Sequence, residues 1–168
     1  RHAQEHGQGL DAYDYRNKIG VQWFGIVAPD HAPEWCRDPR LLWSKVDEVE
    51  HRKNARLAQE IIIALPHQVS LDDHIAMLRA FTTTHCILPY GMIADIAIHA
   101  PPTHHGGDPR NVHAHILLTD RPITADGFAK TKDRRYSEKG LVDQFRAGWT
   151  QTHNQHMDRL GLPHRIDH

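Results

Sequence analysis

Asn111-Val112-His113-Ala114-His115-Ile116-Leu117-Leu118-Thr119 is the stretch from which the fold is read. Val112, Ile116, Leu117 and Leu118 give it the apolar, partly branched character of a strand, with Asp108-Pro109 and Pro122 as punctuation at its ends. Side chains alternate along a strand, so His113 and His115 project from one face with only the small Ala114 between them. Two imidazoles so placed make a bidentate clamp for a metal ion. A second strand-like run, Ala94-Asp95-Ile96-Ala97-Ile98-His99, lies upstream, and the Pro- and Gly-rich residues 100–110 suit a hairpin between the two. If the runs pair antiparallel, His99 joins the other two in a three-imidazole site with open coordination positions. That is the arrangement of a catalytic ion rather than a closed structural one. Two histidines two residues apart will also occur by chance in a chain with 16 of them, and His104 and His105 are expected to stay out of the site. The strand context is what gives the pair its direction.

The chain at large fits one soluble globular domain. Its 168 residues are enough for a sizeable core, and the 39% hydrophobic and 24% charged content is ordinary. A formal net charge of -1 announces no global basic field, so any nucleic-acid surface must come from local clustering. Cys36 and Cys86 form no CxxC motif and are expected as reduced thiols in a cytoplasmic protein. No apolar run approaches the ~18 residues of a membrane span, and no signal peptide, repeat or low-complexity segment is visible.

In chain order, residues 1–20 are polar, with Tyr13 and Tyr15 flanking Asp14, and Val21–Val27 is a strand candidate. Pro39 suits the first turn of a helix over residues 40–59, with Glu50, His51, Arg52 and Lys53 on its exposed side. An Ile-rich strand over 60–65 follows. Ser70 caps a helix to about residue 86, with Asp72 and Asp73 in its first turn and Ile75, Leu78, Phe81 and Thr82 facing the core. After the two histidine strands, residues 124–139 are the most basic region. A last helix over about 137–160 carries Leu141, Phe145, Trp149 and Met157 and stops at Gly161. The order strand, helix, strand, helix, strand, strand, helix implies an α+β fold, with helices packed on one face of a mainly antiparallel sheet.

The segment Ile96 to His99, the Pro/Gly loop and the run from Asn111 through Thr119-Asp120-Arg121-Pro122 together resemble the metal motif of plasmid mobilisation relaxases. The resemblance is to the MobA/MobL type within the HUH endonucleases, named for a His, a bulky residue and a His. It extends through Arg56-Leu57-Ala58-Gln59-Glu60, Ala64-Leu65-Pro66, Tyr90-Gly91-Met92-Ile93-Ala94-Asp95 and Gly161-Leu162-Pro163-His164-Arg165-Ile166-Asp167-His168. It therefore covers nearly the whole chain, in order. It implies a central antiparallel sheet with the paired histidines on a middle strand, over a single relaxase domain spanning 1–168. It also implies that the family's nucleophilic tyrosine and first strand lie upstream of Arg1, with Tyr13 and Tyr15 as substitutes.

The implied activity is metal-dependent cleavage and rejoining of single-stranded DNA at an origin of transfer, through a phosphotyrosine that conserves the bond energy. Accessory relaxosome and coupling proteins would be partners. His99, His113 and His115 would hold a divalent ion, manganese or magnesium in the cell, with zinc, cobalt or nickel as substitutes, to stabilise the phosphate oxygens. Asp95 or Asp120 would orient their other ring nitrogens. By resemblance, Glu60 is the candidate base. Arg110, Arg121, Lys130, Lys132, Arg134 and Arg135 form the expected DNA strip beside the metal. The rival classes are a three-histidine hydrolase using activated water and a non-catalytic binding module.

Overall fold

A computed structural model describes residues 19–168, the side chain of His105 excepted. The two histidine runs do form adjacent antiparallel strands. β1 (Val21–Val27), β2 (Ala58–Ala64), β3 (Ala94–His99) and β4 (His113–Thr119) make a four-stranded antiparallel sheet of order β1-β3-β4-β2. β4, with the histidine pair, is thus interior. Three helices accompany it: α1 (Pro39–Val49), α2 (Leu71–Thr82) and α3 (Leu141–Arg159). A short ribbon, β5 (Ile123–Thr124) and β6 (Gly127–Phe128), follows β4, and short helical turns lie at Glu34–Arg37, Leu88–Tyr90, Thr103–His105 and Arg134–Ser137.

The alternation of β4 sorts the molecule into two layers. Ala114, Ile116 and Leu118 face one way, with Ile96 and Ile98 from β3 and Ile63 from β2, and meet Met77, Leu78 and Phe81 of α2 and Phe145, Trp149 and Met157 of α3. Burial of these side chains at ~25 cal/mol per Å² of apolar surface is the main stabilising term. α2 begins at a capping box, in which Ser70 and Asp73 bond one another's backbone N–H. A π-turn over Thr83–Ile87 extends it. Gly161 ends α3 with a φ of +68°.

Among the described residues, helical cover of the opposite face lies at one end. There α1 lays Leu42 and Trp43 against Ile93, Ile123 and Ile26, and the Trp43 indole N–H donates to Asp95 Oδ2 at 2.7 Å. The expectation of helices on a single face therefore holds for α2 and α3 but not for α1. The helix expected over 40–59 stops at Val49. Glu50 is buried rather than exposed, its carboxylate drawn to Arg121 and Lys132, and the chain turns there to enter β2. Cys36 and Cys86 are unbridged and buried, which pushes their thiols up to about 11 and about 12. No described helix is long and apolar enough to cross a membrane.

Candidate metal centre

Pairing of β3 with β4 sets His99 directly opposite His113, and Ala97 opposite His115. Residues directly opposite share a face, so the three imidazoles stand together on the side of the sheet that α1 leaves open. His99 Nδ1 and His113 Nε2 lie 3.3 Å apart. The ring centroids are 4.9 Å apart for His99 and His113, and 5.2 Å for His113 and His115.

The outer nitrogens settle which ring atoms carry lone pairs. His99 Nε2 is 2.9 Å from the Ile19 carbonyl oxygen, and His113 Nδ1 is 3.0 Å from that of Asn111. His115 Nδ1 is 2.8 Å from Glu60 Oε1. Carbonyl and carboxylate oxygens only accept, so each of these nitrogens donates. With protons on those atoms, His99 Nδ1 and His113 Nε2 are the acceptor nitrogens of their neutral rings. Two such nitrogens at 3.3 Å are bridged by one positive charge, a proton or a metal ion. Nitrogens sharing one ion at about 2.0–2.2 Å would themselves be about 3.0–3.4 Å apart, so the pair fits an ion in distance as well as in chemistry. Among the described residues no group of three His, Cys, Asp or Glu converges as a complete metal set. His115 flanks the converged pair as the third imidazole of the face.

The orienting acceptors differ from those expected. Asp95 is bound by Trp43, and Asp120 accepts from Arg56, Gln59 and Lys132 at the far end of β4. Two backbone carbonyls and Glu60 take their place. A reading by residue type detects side-chain acceptors and misses carbonyls. Glu60, expected as a base, stands beside the site but bonds His115.

The basic strip is rearranged more thoroughly. Arg121 donates to Glu50 at 2.7 Å and to the carbonyls of Ala129 and Lys130, while Lys132 reaches Glu50 at 3.2 Å and Asp120 at 2.8 Å. Arg56 completes this network at 2.7 Å from Asp120. Burial alone would raise the Asp120 carboxyl, but hydrogen bonds from Arg56, Lys132 and Gln59 outweigh it and hold it below the usual range. Arg135 pairs with Asp133 and lies over the Tyr90 ring. Arg121 and Lys132 are therefore structural, because they neutralise two buried carboxylates. The network sits at the Thr119 end of β4, about 20 Å along the strand from His113. Of the six expected cations only Arg110, paired with Asp108 at 2.8 Å, lies at the histidine end. Lys130 and Arg134 are exposed on the distal loop.

Of the tyrosines, Tyr13 and Tyr15 fall outside the described residues. Tyr136 is buried, its hydroxyl donates to the Tyr90 carbonyl, and burial pushes its phenol well up. The Tyr90 hydroxyl donates to Gln144 at 2.9 Å. Both are packing residues away from the imidazoles.

Known proteins resemble this chain along most of its length. The family model described as "MobA/MobL family" matches residues 5–168. The "Probable conjugal transfer protein TraA" of Sinorhizobium fredii is 32% identical over 184 residues, covering 92% of this chain and 16% of the relative. The "Mobilization protein MobL" of Acidithiobacillus ferridurans is 28% identical over 183 residues, covering 93% of this chain and 47% of the relative. A chain solved for the molecular basis of vancomycin resistance transfer in Staphylococcus aureus superposes with a TM-score of 0.77 at 30% identity. That match covers 92% of this chain and 78% of the other. The chain thus spans 16% of the length of the TraA relative and about half that of MobL.

Proposed function

Because this chain belongs to the MobA/MobL family, we propose that it is the DNA-cleaving domain of a relaxase acting in plasmid mobilisation or conjugal transfer. It nicks one strand of single-stranded origin-of-transfer DNA and rejoins it through a phosphotyrosine. The observation that carries this reading is the opposed inner nitrogens of His99 and His113, with His115 beside them and the far nitrogen of each ring tied to an oxygen.

His99, His113 and His115 would hold a divalent ion, manganese or magnesium by preference. Bound there, the ion supplies Lewis-acid charge to the non-bridging oxygens of the scissile phosphate. The chain's own contribution is orientation. Neutral imidazoles leave the ion its full charge, and the Ile19 and Asn111 carbonyls fix the rings so that no reorganisation is needed as charge develops. Glu60, bonded to His115, fixes the third ring and increases its basicity.

A tyrosine oxygen attacks the phosphorus, the 3′ oxygen leaves with its electron pair, and the bond energy is kept in the new ester for the reverse reaction. Tyr90 and Tyr136 are excluded as the attacking group by their packing. Single-stranded origin DNA is the substrate, and accessory relaxosome and coupling proteins are the partners. The test is incubation of the protein with end-labelled single-stranded origin DNA and manganese, followed by denaturing electrophoresis. With the nucleophilic tyrosine present, a denaturant-stable protein–DNA adduct, lost in His113→Ala and retained in Tyr136→Phe, is expected. Cleavage with both products free of protein would mean a hydrolase that uses activated water.

A further inference from the structure

We propose that Phe24 is a stacking platform for one unpaired nucleobase of the strand whose phosphate is held at the histidines. The proposal rests on the reading of that site as one for single-stranded DNA.

The register of the sheet carries it. Phe24 pairs with Ala97, Ala97 with His115, and His115 with Ile62. These four therefore form one row across the sheet on the histidine face. Phe24 and Ile62 stand at its edges, 50% and 61% exposed. α1 covers the neighbouring row, where Asp95 is bound by Trp43 and Ile26 packs in the small core, and stops short of this one. Ile19, whose carbonyl orients His99, is 66% exposed. Three of the large exposed hydrophobic side chains thus border the imidazoles.

An open sheet face ordinarily carries polar side chains. An apolar rim around a phosphate site fits a ligand with charge at its middle and flat apolar faces to either side, which describes a single-stranded nucleic acid. Between Phe24 on β1 and His115 on β4 lies only Ala97. The two side chains are two strand spacings, about 9.5 Å, apart, and Ala97 between them is buried, so the surface offered to a base is the half-exposed Phe24 ring itself. A base stacked on that ring would lie about two strand spacings from His115. Bases inside a duplex have no exposed face to offer.

The test uses a labelled mixed-sequence single-stranded oligonucleotide with manganese. Phe24→Ala should weaken binding about 5- to 20-fold, with an unchanged melting temperature as the check on folding. Phe24→Trp should retain affinity, and its indole fluorescence should be quenched on binding, as a merely packed side chain would not be. Removing the stacked base, by an abasic position in the oligonucleotide, should weaken the wild type but add nothing in Phe24→Ala. If the wild type binds while Phe24→Ala binds equally and Phe24→Trp is not quenched, the platform is wrong and the relaxase reading stands. If Phe24→Ala instead turns a dimer into a monomer at unchanged DNA affinity, the face is a self-association surface and the proposal is overturned. Failure of the wild type to bind single strands at all would remove both readings.

Discussion

The two ends of β4 handle polar side chains in opposite ways. At the Thr119 end, two carboxylates are buried, Asp120 at 3% and Glu50 at 9% exposure, and Arg56, Arg121, Lys132 and Gln59 satisfy them. At the His113 end, the inner nitrogens of His99 and His113 face each other at 3.3 Å while their outer nitrogens are tied to carbonyl oxygens. The first end is electrostatically closed and cross-links a loop to the sheet. The second leaves two ring nitrogens to share one positive charge between them, a proton or a metal ion. Closure marks a structural network and a place kept for a shared charge marks a functional one, although both are built from the same residue types.

Breaking the closed end should have the largest effect. Asp120→Ala leaves Arg56 and Lys132 facing each other beside Glu50, and the loss of one partner from a buried ionic network costs about 3–5 kcal/mol. Chemical denaturation should show the loss directly, and an unchanged midpoint would mean that the network is solvated. Supplying the shared charge as a metal ion at the open end should come next. Manganese at a hundredfold excess over its dissociation constant should stabilise the wild type by about 2.7 kcal/mol. His113→Ala should abolish that gain while leaving the metal-free protein within about 1 kcal/mol of wild type. A stabilisation that persists in His113→Ala would place the ion elsewhere.

Acid should act more gently, and on the closed end. Asp120 has its pKa depressed in the folded state, so its stabilising contribution is present above the unfolded carboxylate value. It is lost as pH falls through the folded value. Stability should therefore decline below the ordinary carboxylate range, less steeply in Asp120→Asn, as followed by melting temperature against pH. The smallest effect belongs to the exposed cations of the distal loop. Lys130→Gln with Arg134→Gln should change stability by less than about 0.5 kcal/mol. If the strand reaches that loop, the pair should reduce the salt dependence of binding by about 0.7 for each phosphate no longer neutralised. An unchanged slope would confine the DNA to the histidine end.

Much of this was legible in the residues. Four strand runs, the Ser70 cap and the Gly161 stop are local signals, and the structure has them within about two residues of where the sequence puts them. The opposition of His99 and His113 followed from two strands and a hairpin. What could not be read was decided over long separations. Glu50 ends its helix because of Arg121 and Lys132, more than seventy positions away. The cationic strip dissolved for the same reason, since charge in a sequence does not reveal its partner. The carbonyls of Ile19 and Asn111 carry no residue signature at all. Phe24 read only as part of an apolar strand, and its significance came from the pairing register.

The connection between β3 and β4 sets a rule for altering this protein. His99 and His113 close the ladder, so the backbone pairing holds them at their separation whatever path the chain takes between them. Gly106, at the tip of that path, has nothing within 4 Å of where a side chain would begin, whereas at Gly107 a Cβ would strike Pro101. Gly106 lies at a φ of +76°, so added chain has room there provided that a glycine keeps the left-handed turn. A peptide tag, a protease site or a whole reporter domain spliced in there should leave the ion's seat unaltered, and cutting the chain there should leave two fragments that still assemble it.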